Sequence, residues 1–532
     1  MKDAKFIVLV CQIVILFSCQ ALAQNYRVDW DKTLGGSNWE ELHSITPTSD
    51  GGLLVAAITQ SPQDGDVAFP RIGDWDYWLI KLDFYGNVQW QKRYGGNKAD
   101  RIWVSQETKD KGFIIGGESL SDVSGNKTEP SRGNWDFWLI KIDQNGELEW
   151  DKTIGGDGWD AIRGDIIETE DNGYLLAGIS SSGVSGDKTE PSRGDWDFWI
   201  VKIDATGNVL WDKTYGGEAK ELIQAAIPMS DDGFLLGGES RSGVSGDKDD
   251  FLRGLNDYWV IRVDANGDMI WQKTIGGNWD EAIFDMVQHP NGIIYLAGFS
   301  GSDARFEKTF PSYGSIDFFV VALNEAGDML WNRNYGGKKP DTAYDIRINA
   351  LGNLVLAGIS SSEVSGTRTA PNKGEIDYWV VCISPEGEQL WDEAFGGSRI
   401  DALTELEIAP DGALWLAGQT QTGLDGDKTE DTRGVNDIWI VKTACNVKAQ
   451  LADTIRVKCD QAFTPLKASF LDCGNCSFRW SNGGKDSITL VPSSEENQFY
   501  TVTAIDLMVV LTKILLFCTT TNQLLPLLRC KE

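Results

Sequence analysis

The chain is poor in the residues that most catalytic and metal-binding schemes require. It has only two histidines, His43 and His289, among 532 residues, which argues against histidine-based catalysis and histidine-rich metal sites. Basic residues are outnumbered 79 to 48, leaving a formal charge of −31. Such a surface repels a phosphate backbone, so nucleic acid is a poor partner. Cysteine is sparse through most of the length: past residue 23, only Cys382 precedes Cys445. No segment shows sustained 3.6-residue apolar periodicity with caps, so helices should be few. What is plentiful is tryptophan (22) and glycine (58), a pairing that suits aromatic-rich strands joined by tight turns.

The N-terminus, MKDAKFIVLVCQIVILFSCQALAQ, has a basic start at Lys2 and Lys5 and an apolar stretch from Phe6 to Phe17. Ala21-Leu22-Ala23 follows as a small-x-small cleavage site. This reads as a secretory signal peptide over 1–23, too short for a spanning helix. Leu16-Phe17-Ser18-Cys19 loosely matches a lipid-attachment box, although Phe17 is bulky for it. The expected address is secreted or on the outer cell surface. Cys445, Cys459, Cys473, Cys476, Cys518 and Cys530 crowd the far end. In an exported chain they read as disulfide formers and mark a domain boundary near Cys445.

Between these ends lies a repeat. W-x-K-x-x-G-G or a drifted form starts at Trp30, Trp90, Trp150, Trp211, Trp271, Trp331 and Trp391, sixty residues apart except for one spacing of 61. A second motif, D-[YFI]-[WF]-[LIV]-[IV], begins at Asp76, Asp136, Asp197, Asp257, Asp317, Asp377 and Asp437. Each unit reads as four short strands separated by Gly/Asn/Asp turns. Seven such units predict an all-β, seven-bladed β-propeller over 24–444. The W-K-G-G strand precedes the first blade at Val28 to Thr33 and is missing after Asp437 to Lys442. The N-terminal strand is therefore expected to complete the seventh blade and close the ring.

Repeats of the type WDKTIGG, DNGYLLAGISSS and DFWIVKIDATGN resemble those of secreted propeller proteins from Bacteroidota-type bacteria. That resemblance implies export by type IX secretion and a following Ig-like or PKD-like module. Residues 445–506 fit such a module: FRWSNGG and FYTVTA look like its W-S-x-G and Y-x-V-x-A strands. The tail 507–532 then turns hydrophobic and departs from the pattern. A membrane anchor is disfavoured by Lys513, the polar Thr519 to Gln523 and Pro526. The expected cause is a reading-frame shift near Leu507, because the Met508–Val509 codon junction would spell the glycine that the resemblance implies.

Candidate chemistry falls on loops that share one face of the propeller. An acid stands ten residues after each repeat tryptophan: Glu40, Asp100, Asp160, Glu221, Glu281, Asp341 and Asp401. These either accept backbone N–H groups in every blade or line the channel mouth and attract a hard cation such as calcium. No loop has EF-hand spacing, and no bound cofactor is otherwise expected. Lys127, Lys188, Lys248, Lys308, Arg368 and Lys428 recur at one loop position, with Arg132, Arg193, Arg253, Lys373 and Arg433 at another. They read as blade-to-blade ion pairs with those acids, or as a basic ring for anionic glycans.

The position before the acid varies: Trp39, Ala99, Trp159, Lys220, Asp280, Pro340 and Ile400. A site that tolerates Lys and Pro is solvent-facing, so Trp39, Trp159 and nearby Trp279 are expected to be exposed. Exposed indole beside a carboxylate suits sugar recognition. The candidate ligand-binding residues are therefore Trp39, Glu40, Trp159, Asp160, Trp279 and Glu281. Trp75, Trp135 and Trp196, replaced elsewhere by Leu255, Ile316, Ile376 and Val435, read as packing. The expected function is a monomeric, non-catalytic binding or adhesion module for a glycan or surface protein, with no membrane span. The alternatives are an endoglucanase-like or quinone-dependent enzyme and a structural display scaffold. No acid is singled out as catalytic.

Overall fold

The computed structural model describes residues 26–444 with their side chains. Beyond them it describes only the backbone of six strands: Thr454–Val457, Phe463–Lys467, Phe478–Trp480, Ile488–Pro492, Phe499–Ala504 and Val509–Cys518. The expected signal peptide at 1–23 lies outside the described residues, as do most of the expected 445–506 module and the side chains of the C-terminal cysteines.

Residues 26–444 form seven four-stranded antiparallel sheets, one per repeat, so the chain is an all-β, seven-bladed propeller. Blade 1 runs through Glu40–Pro47, Leu53–Thr59, Asp76–Leu82 and Val88–Tyr94. The first strand of each blade is innermost. Its polar, varied residues face the axis, and the second and third strands are buried on both faces. That double burial explains their near-continuous apolar runs. In the last sheet Asp401–Ile408, Leu414–Thr420 and Asp437–Ala444 are joined by Arg27–Leu34, the first strand of the propeller. It pairs antiparallel with the Asp437 strand, from Arg27 opposite Ala444 to Leu34 opposite Ile438.

Aromatic residues stitch blade to blade. The third-strand Trp199 is fully buried, with its ring 4.8 Å from Phe137 of the preceding blade. Tyr77 does the same one blade earlier, packing on Trp138 and donating its hydroxyl to the Trp138 carbonyl at 3.1 Å. The repeated G-G marks a close approach. A Cβ on Gly155 would lie 2.1 Å from an oxygen of Asp136, so no side chain fits there.

Candidate functional site

The seven recurring acids face inward, into the blade. All are fully buried. The Glu40 carboxylate accepts the Gly36 N–H at 2.9 Å and the Thr59 hydroxyl at 2.7 Å. Asp160 accepts Gly156 N–H at 2.7 Å and Ser182 at 2.8 Å. Glu281 accepts Gly277 N–H at 2.8 Å and Ser300 at 2.6 Å. Burial pushes Glu40 and Asp160 above the usual carboxylate range, with these hydrogen bonds pulling back. Each acid ties the G-G turn to the end of the second strand. Glu40, Asp160 and Glu281, expected to meet a ligand, have no accessible surface, and each is held by hydrogen bonds inside its blade.

The basic loop residues divide in two. Lys127, Lys188, Lys248, Lys308, Arg368 and Lys428 are buried, so they form no surface ring for anionic glycans. Lys188 donates to the Thr214 hydroxyl at 2.6 Å and sits 4.9 Å over the Trp199 ring. The second set does bridge blades, but to loop acids rather than to the buried seven. Arg132 meets Asp187 at 3.0 Å, Arg193 meets Asp247 at 3.1 Å, and Arg253 meets Glu307 at 2.5 Å. Lys373 meets Asp427 at 2.5 Å, and Arg433 meets Asp66 at 2.8 Å. Among the described residues no three His, Cys, Asp or Glu side chains group as they would to hold a metal ion.

At each blade junction the varied position before the acid lies beside the residue that precedes the D-x-W aspartate of the preceding blade. Trp39 bridges to Asn436, Trp75 to Ala99, Trp196 to Lys220, Asn256 to Asp280 and Ile376 to Ile400. Asp160 N–H bonds the Trp135 carbonyl at 2.7 Å and so sets Trp159 beside Trp135. The partners in blades 4 and 7 are thus Asn256 and Asn436. Leu255 and Val435, expected at this position, are instead exposed one residue earlier.

These pairs ring the channel mouth, and their chemistry changes around it. From blade 1 to blade 4 an aromatic and cationic ladder runs without a break. Arg101 lies 5.9 Å from the Trp75 ring and 4.9 Å from the Trp135 ring. Trp135 stacks on Trp159 at 5.9 Å, Trp159 meets Trp196 edge-on at 5.2 Å, and Lys220 caps Trp196 at 4.3 Å. Ile316, Pro340, Ile376 and Ile400 make blades 5 to 7 aliphatic. Trp159 is half-buried, its indole N–H donated to Glu118 at 2.6 Å. Trp39 is 37% exposed on the same ring, whereas Trp279, at 55%, lies one position earlier in its repeat and off that ring.

Below the mouth, the inner strands enclose a cavity of about 250 Å³ lined by Trp103, Gln106, Arg163, Asp165, Tyr344 and Glu405, among others. The single 61-residue spacing acquires its meaning here. The inner strand of blade 3, Asp160–Glu168, has nine residues where its counterparts have eight. The extra residue falls in the irregularity between Ile162 and Ile166, where Arg163 and Asp165 join the channel wall. Asp165 accepts the Ala226 N–H at 2.8 Å, and its carboxyl is pushed up to about 7 by burial and then by the charge of Asp285. Across the channel Arg347 bonds Asp285 at 2.6 Å, Glu407 at 3.1 Å, and Asp345. Reading each repeat by itself missed Arg101, Trp103, Glu118 and Arg163. For Arg101, Trp103 and Arg163 the signal is the blade-specific residue at inner-strand positions two and four; Glu118 stands on the second strand, opposite Arg101.

No protein-family model matches the chain. It is 23% identical over 456 residues to the regulatory protein FlaEY of Caulobacter vibrioides, covering 76% of this chain and 46% of that protein. The chain thus spans about half the length of the curated relative it matches. Among solved structures it is similar to the quinohemoprotein alcohol dehydrogenase of Comamonas testosteroni, at 15% identity and a TM-score of 0.42, over 82% of this chain and 79% of that one. It is also similar to the hydrazine synthase of Kuenenia stuttgartiensis, at 12% identity and 0.40, over 70% and 91%. Likenesses this slight transfer no activity, and the blade count rests on the seven sheets themselves.

Proposed function

We propose that the protein is a secreted, non-catalytic propeller that binds a glycan across the channel mouth of blades 1 to 4. The observation that carries this reading is the one-sided ladder Trp75, Arg101, Trp135, Trp159, Trp196 and Lys220. A repeat used only for packing would place equivalent residues at all seven junctions, yet indole and cation gather at three consecutive ones. Half-buried indole faces take the C–H surface of sugar rings, and the flanking cations reach hydroxyls and acidic groups. The ladder replaces the single tryptophan-carboxylate pairs expected from the sequence. Trp39 extends it at the blade 7–blade 1 junction.

The test is a glycan array probed with the full chain, with a reducing-sugar assay on every glycan bound. Binding without release of reducing ends supports the reading. Trp196→Ala should then weaken binding by about 1–3 kcal/mol, as for truncation of a partly buried aromatic contact. Absence of binding to any glycan, or steady release of reducing ends, sinks it.

A further inference from the structure

Arg101 and Arg163 are alike in a way that separates them from arginines of the third strands' loops and of the blade edges. Both guanidiniums lie over indoles, Arg163 at 3.7 Å from the Trp103 ring centroid and Arg101 at 4.9 Å from that of Trp135. Both point at one carboxylate, Glu118, which approaches them at 3.5 and 3.8 Å and is itself fully buried. Neither guanidinium makes a hydrogen bond among the described residues, and Arg163 Nε is buried with no partner. By contrast Arg93, Arg132, Arg193 and Arg433 each donate to a backbone carbonyl.

Other unpaired polar atoms gather at the same place. Glu118 Oε1, Trp103 Nε1 and His43 Nε2 are all buried without a hydrogen-bond partner. The His43 and Trp103 rings are 4.4 Å apart. His43 Nε2 lies 3.8 Å from Glu41, too far for a hydrogen bond. Buried polar atoms left like this are costly unless something fills their valences. The local field is positive in spite of the chain's net charge. Burial, then Arg163 and Arg101, hold the His43 imidazole down at about 3, so it stays neutral. At a Debye length of roughly 8–10 Å the distant acids count for little here.

We propose that this mouth sector is an anchoring subsite for a carboxylate-bearing sugar, a uronic-acid unit of an acidic glycan, gripped by Arg101 and Arg163. This rests on the glycan reading above and narrows its ligand class. Two planar forks offer paired N–H donors to a carboxylate, and the cavity of about 250 Å³ beside Trp103 and Arg163 lies next to them. The remaining unpaired groups, Trp103 N–H and Glu118 Oε1, suit a neighbouring hydroxyl that both accepts and donates.

The experiment titrates the full chain with an oligogalacturonate, its methyl ester and an oligoglutamate, read by tryptophan fluorescence and calorimetry. The acid should bind about tenfold more tightly than the ester, the size of one charge-assisted hydrogen bond. Arg163→Gln and Arg101→Lys should remove most of that preference. Glu118→Gln, which keeps the acceptor for Trp159 and frees both arginines of a competing charge, should tighten binding of the acid several-fold. A merely structural Glu118 would not do so, and this variant keeps the test decisive if Arg163→Gln fails to fold. Equal affinity for acid and ester overturns the inference while leaving the glycan reading intact. Tighter binding of oligoglutamate than of oligogalacturonate overturns the sugar class. Binding of no sugar in either form, on the array or here, removes the glycan reading itself.

Discussion

Arg433 of the last blade holds Asp66 of the first, Nε to carboxylate at 2.8 Å, and also donates to the Thr33 carbonyl at 2.8 Å. The same loop contact joins four other junctions. The two that lack it are informative, because both partners change together. Ile72 stands where the arginine would be and Asn126 where the acid would be; Tyr313 and Thr367 replace the pair between blades 5 and 6. The two residues of each pair lie about 55 apart in sequence, except at the join between the chain's two ends. The junction between last and first blade is therefore built like the others.

If Arg27–Leu34 fastens the ring, deleting residues 24–36 strips the outer strand of blade 7 and leaves the Asp437–Ala444 edge unpaired. A large fall in melting temperature or aggregation is expected. Arg433→Met alone should cost less than about 1 kcal/mol, because the pair is partly exposed. Thermal melts of both variants check this, and an unchanged melting temperature for the deletion would show that the ring does not depend on this strand.

Trp39 and Trp159 share a ring position but not a fate. Trp39 is exposed, so Trp39→Ala should change stability by no more than about 0.5 kcal/mol. Trp159 is wedged between Trp135 and Trp196 and gives Glu118 its one hydrogen bond. Trp159→Ala opens that packing and takes a hydrogen bond from a buried carboxylate, at a cost of about 3–5 kcal/mol. Chemical denaturation of the two variants separates them, and equal losses would contradict this placement.

The blade count, the four strands and the turn positions were legible because each repeat must bury the same two strands with the same residues. Trp78, Trp138, Trp199 and Trp259 are fully buried at equivalent places for that reason. The site was harder to read, since it arises where repeats from different blades meet. Glu40 and Asp160 look like ligand groups beside Trp39 and Trp159, but alternation along the strand turns the acid inward as the indole turns to the rim. Arg101 and Glu118 lie opposite each other in register, a pairing that only the strand register reveals. The 61-residue spacing was visible in the sequence, yet its consequence for Arg163 and Asp165 depends on which strand absorbs the extra residue.

Buried charge should make stability depend on pH with a minimum near neutrality. Burial pushes Asp100, Asp257 and Asp377 up to about 6, and Asp197 and Asp317 up to about 7. Their folded pKa values exceed the unfolded ones near 3.9, so this stability is full below about pH 4 and is lost as pH rises to about 7. Burial also pushes Lys127, Lys188, Lys308 and Lys428 down to about 8. Those folded values lie below the unfolded 10.4, so their contribution is full above that value and lost as pH falls toward 8. Melting temperature should fall from pH 5 to about 7.5 and recover toward pH 10. A maximum at pH 7–8 would contradict the burial of these groups.

The extra residue of blade 3 gives the sharpest separation of scaffold from site. Deleting Gly164 would restore the eight-residue inner strand that the other six blades already use, so the propeller should still assemble. The expected cost is modest, about 1–2 kcal/mol, from repacking beside Ala177 and Ala225, the nearest neighbours of Gly164. The shortened strand, however, moves Arg163 and Asp165 relative to the channel, breaking the Arg163 stack on Trp103 and the Asp165 bond to the Ala226 N–H. Fluorescence should report the loss of the cation from the Trp103 face, and preference for an acidic over a neutral glycan should vanish while neutral binding persists on Trp159 and Trp196. A deletion variant that keeps full acid preference would show that Arg163 plays no part in recognition, and one that fails to fold would show that blade 3 needs its ninth residue for assembly.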